Sequence, residues 1–74
     1  MLKEFLKVYF WATETKHGKE QTRIIAVYMP RVDEITGKHI TLAEQIERGT
    51  EALKKEHFYN IKYGSTVATE LIFG

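Results

Sequence analysis

The feature that most constrains this fold is a pair of strand-like runs between Phe5 and Met29, joined by a short turn at His17-Gly18. The first run, residues 5–13, and the second, residues 22–29, are rich in aromatic and β-branched residues. Such residues favour strands. Glycine accepts the positive φ that a two-residue hairpin turn requires. The sequence therefore predicts a β-hairpin.

With a two-residue loop at His17-Gly18, facing residues have numbers that sum to 35. One face then contains mainly aliphatic residues: Leu6, Val8, Phe10, Ala12, Arg23, Ile25, Val27 and Met29. The other face contains aromatic, basic and polar residues: Lys7, Tyr9, Trp11, Thr13, Thr22, Ile24, Ala26 and Tyr28. A slip of one residue would exchange the two faces, so their chemical coherence supports this register.

A helix is predicted after residue 40. Thr41 and Glu44 have the spacing of a capping box. Apolar and small residues then recur at helical spacing, namely Leu42, Ile46, Gly49 and Leu53. Gly49 costs about 1 kcal/mol relative to alanine inside a helix. We predict a helix that continues through Gly49; the alternative is a break there, with Thr50 capping a second helix.

The remaining segments complete a four-stranded prediction. The polar connector, residues 31–40, is expected to anchor to the core through Val32, Ile35 and Ile40. Residues 58–73 resemble a second hairpin around Gly64-Ser65. The predicted order is ββαββ, an α+β fold with an antiparallel sheet in the order 2-1-3-4 and one helix packed on one face.

One helix can cover only one face of this sheet, and we predict that it covers the aliphatic one. The uncovered face would present five residues to a partner: Lys7, Tyr9, Trp11, Ile24 and Tyr28, with Phe5 beside them. Aromatic residues of this kind anchor protein interfaces. We therefore predict that this face contacts a protein, either a second copy of the chain in a homodimer or another protein. Two alternatives are packing beneath the connector and nucleic-acid binding through Lys3, Lys7, Arg23 and Arg31, since lysine beside aromatic rings suits stacked bases.

Composition sets the broad class. Seventy-four residues without cysteine predict one small domain, 1–74, that no disulfide stabilises and that gains from self-association. The net charge of +1 is too small to indicate nucleic-acid binding by itself. No apolar stretch has the length of a membrane span, and charges interrupt the start of the chain, so neither a membrane protein nor a signal peptide is expected. The prediction is a soluble, cytoplasmic protein.

The sequence offers little for catalysis. His17, His39 and His57 are scattered, so no metal site is expected. Asp33-Glu34 near His39 could form an acid–base set, but a connector is a poor place to hold one rigid. We therefore expect a protein without catalytic residues, metal, cofactor or small-molecule substrate.

A hairpin followed by a capped helix, together with the run Phe10-Trp11-Ala12-Thr13, resembles small inhibitors encoded by phages and mobile elements. These include some anti-CRISPR proteins and a phage RNA polymerase inhibitor. The resemblance implies a small inhibitor or regulator that binds a protein, and it transfers no functional residue.

Overall fold

The structure, a computed structural model, describes the backbone of residues 2–72 and the side chains of residues 4–69. Its elements are β1 (Leu2–Lys16), β2 (Lys19–Pro30), α1 (Leu42–Lys55) and β3 (Tyr59–Ile72). The three strands form an antiparallel sheet in the order β2-β1-β3. The most apolar strand, β1, therefore lies in the centre, as its composition predicts.

The predicted hairpin is confirmed in both turn and register. Leu6 pairs with Met29, and the pairing continues without a shift to Lys16 and Lys19. The two loop residues, His17 and Gly18, have φ angles of 53° and 76°. Positive φ at both positions is the geometry of a type I′ turn, whose twist matches that of the two strands.

The predicted second hairpin is wrong, and so are the four strands in the order 2-1-3-4. Residues on both sides of Gly64 belong to one strand, β3, which pairs with β1 along its length. Tyr9 pairs with Ser65 and Phe10 with Tyr63, so Gly64 is an extra residue in β3. A Cβ atom on Gly64 would lie 3.1 Å from the carbonyl oxygen of Tyr9. Glycine here permits a β-bulge and a close backbone approach rather than a turn.

A second bulge lies at the start of β3, beside the last residue pair that β1 and β3 form. Trp11 pairs with Lys62 and Thr13 with Tyr59, which leaves one residue too many on β3. Asn60 within this bulge has a φ of 51°. Asparagine is among the residues that tolerate this left-handed conformation best.

The core confirms that α1 covers the aliphatic face of the hairpin. Val8 and Phe10 are completely buried, and a Cβ atom on Gly49 would overlap the Phe10 ring. The helix runs through Gly49 without a break, so the absence of a side chain lets α1 lie close against the sheet. The buried apolar residues are Leu6, Val8, Phe10, Ala12, Met29, Ile40, Leu53 and Phe58.

The connector is anchored differently from the prediction. Ile40 is buried, as expected, but Val32 is more than a third exposed and Ile35 is 95% exposed. The Asp33 carboxylate accepts hydrogen bonds from the backbone N–H groups of Ile35, at 2.8 Å, and of Thr36, at 3.1 Å. These bonds close a tight turn with Ile35 at its tip, so Ile35 cannot reach the core.

Both ends of α1 are capped. The predicted capping box is confirmed: Glu44 N–H donates to the Thr41 hydroxyl, and the Glu44 carboxylate accepts from Thr41 N–H. At the other end, His57 N–H donates to the Lys54 carbonyl. Phe58 N–H donates to the Leu53 carbonyl, which completes a Schellman motif.

His57 occupies the left-handed position of this motif, with a φ of 71°. Glycine adopts that conformation without the steric cost that a side chain brings, about 1 kcal/mol. We therefore expect His57→Gly to raise the free energy of unfolding by about 1 kcal/mol, measured by chemical denaturation. Glu56→Gly is the control, because Glu56 has a φ of −93° and gains nothing from glycine. Equal destabilisation by both changes would contradict this account.

Candidate functional site

The side of the sheet opposite α1 carries a continuous apolar and aromatic surface, which we call the open face. Facing residues of antiparallel strands share a face, so the pairings of β1 with β2 and β3 define its members. Its principal residues are Phe5, Lys7, Tyr9, Trp11, Ile24, Tyr28, Lys62, Ser65 and Val67. All five predicted partner-binding residues are therefore brought together on one surface.

Several open-face side chains remain exposed. The exposed fractions are 47% for Trp11, 52% for Ile24, 58% for Tyr28 and 49% for Val67. The connector thus does not cover them within the described part of the chain, which removes the intramolecular packing alternative for Trp11, Ile24 and Tyr28. Burial of such large apolar side chains by a partner would contribute about 25 cal/mol for each Å² removed from water.

Lys7 lies close to the aromatic rings of Tyr9 on β1 and Tyr28 on β2. Its Nζ atom lies 5.3 Å from the centroid of the Tyr9 ring and 5.7 Å from that of the Tyr28 ring. Both distances allow cation–π attraction. Hydrogen bonding to the side chain of Tyr9, and next to that of Tyr28, raises the pKa of Lys7 above its ordinary value. Lys7 therefore places a positive charge beside the rings of both tyrosines.

The two bulges of β3 shape the surface around Trp11. One shallow depression beside the indole is lined by residues that include Ile24 and Gly64. A second depression is lined by residues that include Asn60 and Lys62. Trp11 lines both depressions, and each is also bordered by a residue of a bulge. An exposed aromatic side chain beside two depressions gives a protein partner a shaped surface to pack against.

The open face ends in polar contacts near the hairpin turn. The Tyr59 hydroxyl donates to the Glu20 carboxylate at 2.8 Å and lies 2.9 Å from the Thr15 hydroxyl. The hydroxyls of Thr13 and Thr22 lie 2.7 Å apart. These side chains already have hydrogen-bond partners, so the exposed apolar part of the open face lies towards the other end of the hairpin.

The predicted nucleic-acid-binding residues are not brought together. Arg23 lies on the helix side of the sheet. Its guanidinium Nη2 atom is 3.4 Å from the Glu14 carboxylate, and its Cζ atom is 5.9 Å from the centroid of the Phe58 ring. Arg31 donates to the Glu4 carboxylate at 3.1 Å. The Lys3 side chain lies outside the described residues. Of the four predicted residues, the structure places Lys7 on the open face.

Sequence reasoning missed the contribution of β3. Lys62 pairs with Trp11, Ser65 with Tyr9 and Val67 with Lys7, so all three belong to the open face. The sequence alone does not predict their position, because Gly64-Ser65 is also typical of a two-residue turn. A glycine inside a strand-like run also indicates a bulge, and this signal could have identified β3 as one strand.

The acid–base candidates of the connector have structural contacts instead. The Asp33 carboxylate binds the Arg48 guanidinium at 2.6 Å, which fastens the connector to α1. The backbone of His39 pairs with that of Val32. Backbone hydrogen bonds from Thr36 and Ile35, followed by the bond from Arg48, lower the pKa of Asp33. No group of three or more His, Cys, Asp or Glu in the described part of the chain could hold a metal ion.

This pKa shift predicts an acid-sensitive contribution to stability. Because the folded state holds Asp33 ionised, its contribution is complete above the ordinary aspartate pKa of about 4 and is lost as the pH falls through the lower folded value. We expect Asp33→Asn to lower the unfolding free energy at pH 7 and to abolish this part of the pH dependence. Urea denaturation of the unsubstituted protein and of Asp33→Asn between pH 2 and pH 7 measures how the unfolding free energy of each depends on pH. Parallel pH profiles would contradict the prediction.

In the part of the chain that the structure describes, no helix is long and apolar enough to cross a membrane. No protein-family model matches the chain, and no curated protein or solved structure matches it either.

Proposed function

We propose that the protein is a small non-enzymatic binding module that contacts a protein partner through the open face. The observation that carries the proposal is the exposure of about half of Trp11, Ile24, Tyr28 and Val67 on one continuous surface. The resemblance of its hairpin and capped helix to phage and mobile-element inhibitors extends the proposal to an inhibitor or regulator of that type.

The chemistry of the open face supports a protein partner. Tryptophan and tyrosine are, together with arginine, the residues enriched among the energetic anchors of protein interfaces. Trp11 and Tyr28 occupy this face together with the aliphatic side chains of Ile24 and Val67. Aliphatic surface gains free energy from burial against another apolar surface. Lys7 and Lys62 add positive charge, so a partner with acidic residues around an apolar patch would be complementary.

Single-stranded nucleic acid is a second candidate, favoured by the position of Lys7 between two tyrosine rings. Bases could stack on those rings while the lysine approaches a phosphate. Fluorescence anisotropy with labelled single-stranded DNA and RNA tests this candidate. Binding that weakens steeply as salt rises would favour it. Absence of binding at low salt would remove it. The ion pairs of Arg23 and Arg31 with glutamates weigh against it.

Site-specific photocrosslinking tests the protein partner. Val67 is a suitable position for benzoylphenylalanine because it is exposed on β3 and lies on the open face. Glu51, exposed on α1, is the control position. In cells that produce the protein, we expect irradiation to yield a discrete adduct with another protein from position 67 and none from position 51. Equal adduct patterns from both positions would contradict the proposal.

A further inference from the structure

The two edges of the sheet differ in regularity. The β3 edge is interrupted by the bulges at Gly64 and Asn60. The β2 edge is uninterrupted: β2 pairs with β1 through every residue from Lys19 to Pro30 without a register shift. Bulges discourage the pairing of an edge with another strand. Bulges therefore protect the β3 edge from pairing with another strand, and the β2 edge has no bulge.

One hydrogen bond identifies which residues of β2 point their backbone N–H and C=O groups away from β1. Arg31 N–H donates to the Glu4 carbonyl at 3.3 Å. In an antiparallel ladder, hydrogen-bonded and non-hydrogen-bonded pairs alternate. Ala26, which pairs with Tyr9, is therefore in a non-hydrogen-bonded pair, and its N–H and C=O groups point outwards. The backbone nitrogen of Pro30 also points away from β1, so the lack of an N–H group in proline removes no hydrogen bond between β1 and β2.

The middle of β2 is suited to pairing with another strand. Residues 24–29 contain no charge, glycine or proline, and most of them favour strands. The charged residues of β2, Lys19, Glu20 and Arg23, lie towards the turn. Charges and proline are the usual means of protecting an edge, and this stretch has neither.

We propose that a second copy of this chain pairs with the β2 edge, antiparallel to it, about a two-fold axis at Ala26. In this register, Ile24 lies opposite Tyr28 of the second copy and Ile25 lies opposite its Val27. Aromatic and β-branched pairs of this kind stabilise antiparallel strands. An axis at Arg23 would instead place two like charges opposite each other, which is unfavourable. The β2 sequence is therefore self-complementary about Ala26.

The pairing also extends both surfaces of the sheet. Because facing residues share a face, the two helices lie on one side and the two open faces join on the other. Ile25 and Val27, which are partly buried against the core, would gain cover at the edge. This inference rests on the proposed function in assigning the protein to binding. It adds a second copy as the partner of the β2 edge and leaves the centre of the open face free.

Single-cysteine variants test the pairing, since the chain has no cysteine of its own. Ala26→Cys places the thiol at the proposed axis, where Cα atoms would be about 5.5 Å apart, within the range of about 4.4–6.8 Å that a disulfide spans. Ser65→Cys is the matched control, because Ala26 and Ser65 both pair with Tyr9, from opposite sides. We expect rapid formation of a disulfide-linked dimer from the first variant and only slow, concentration-limited linkage from the second.

Ala26→Pro provides the complementary test. Because the N–H group of Ala26 points away from β1, the substitution retains the hydrogen bonds between β1 and β2. It removes two N–H groups from the proposed interface, one from each copy. We expect about 30-fold weaker dimerisation by sedimentation equilibrium, as two lost hydrogen bonds predict. Equal linkage of the two cysteine variants, or a monomeric Ser65→Cys protein at all accessible concentrations, would overturn the inference.

Adding Trp11→Ala to Ala26→Cys separates this inference from the proposed function. Linkage that persists without the indole supports pairing at the β2 edge, whatever binds the open face. Linkage that disappears would overturn edge pairing and show that two open faces meet instead. A loss of the Val67 photocrosslink with unchanged linkage would locate the protein partner on the open face and the second copy at the edge.

Discussion

Replacing Gly49 with alanine should lower the free energy of unfolding by about 2 kcal/mol, although alanine is the better helix former. The added Cβ would overlap the ring of Phe10, which is completely buried. Overpacking of a core costs about 1–3 kcal/mol, or more where neighbours cannot move. Here the ring lies between the helix and the sheet, so relief requires α1 to move away from β1. Urea denaturation monitored by circular dichroism measures the loss.

A double-mutant cycle identifies the cause. Phe10→Leu removes the ring atoms that the new Cβ would meet, so Gly49→Ala should cost much less in that background. The comparison of Glu47→Gly with Glu47→Ala is the control for helix propensity, because Glu47 is exposed on the same helix and alanine should there be the more stable replacement. An unchanged cost in the Phe10→Leu background would show that overlap with the ring is not the reason. Stabilisation by Gly49→Ala alone would contradict the close packing of α1 on the sheet.

Trp11→Ala should abolish most binding to the open face while leaving the fold intact. Truncation of an interface tryptophan commonly costs 2 kcal/mol or more, which corresponds to about a 30-fold loss of affinity. In the isolated protein Trp11 is 47% exposed, so we expect unfolding to change by no more than about 1 kcal/mol. The yield of the Val67 photocrosslink measures binding, and thermal denaturation measures stability.

Leu42→Ala is the matched control, since Leu42 is also about half exposed but belongs to α1. It should leave the photocrosslink unchanged. If Trp11→Ala unfolds the domain, Trp11 is a structural residue and the proposed function loses its central anchor. If both variants retain the full photocrosslink, the partner does not use the indole.

The hairpin and the helix could be predicted from local sequence. Alternation along Leu6 to Met29, together with the two-residue turn at His17-Gly18, determined the register, because a slip of one residue would exchange the two faces. The Thr41 and Glu44 side chains determined where α1 begins. The same alternation placed Lys7, Tyr9, Trp11, Ile24 and Tyr28 on one surface. These features depend on residues that are neighbours in the chain or across one turn.

The last strand could not be predicted in the same way. Gly64 is compatible with either a turn or a bulge, and the difference depends on whether β1 is long enough to pair with all of β3. That is a property of the assembled sheet. The exposure of Ile35 was missed for a similar reason, because it depends on hydrogen bonds that Asp33 makes within the connector. Lys62 and Val67 joined the open face only once β3 was known to be one strand.

The arrangement of β1 between its two neighbours also sets the order in which the chain can fold. β1 meets β2 across a two-residue turn, so this pairing closes a short loop and can form in about 1–10 μs. Its pairing with β3 brings Leu2 opposite Ile72, and contacts so distant in sequence form slowly. We therefore expect the hairpin to form first, with one edge of the apolar strand β1 unpaired until β3 pairs with it. During that interval another chain can occupy the position of β3, so the yield of refolding should fall as protein concentration rises.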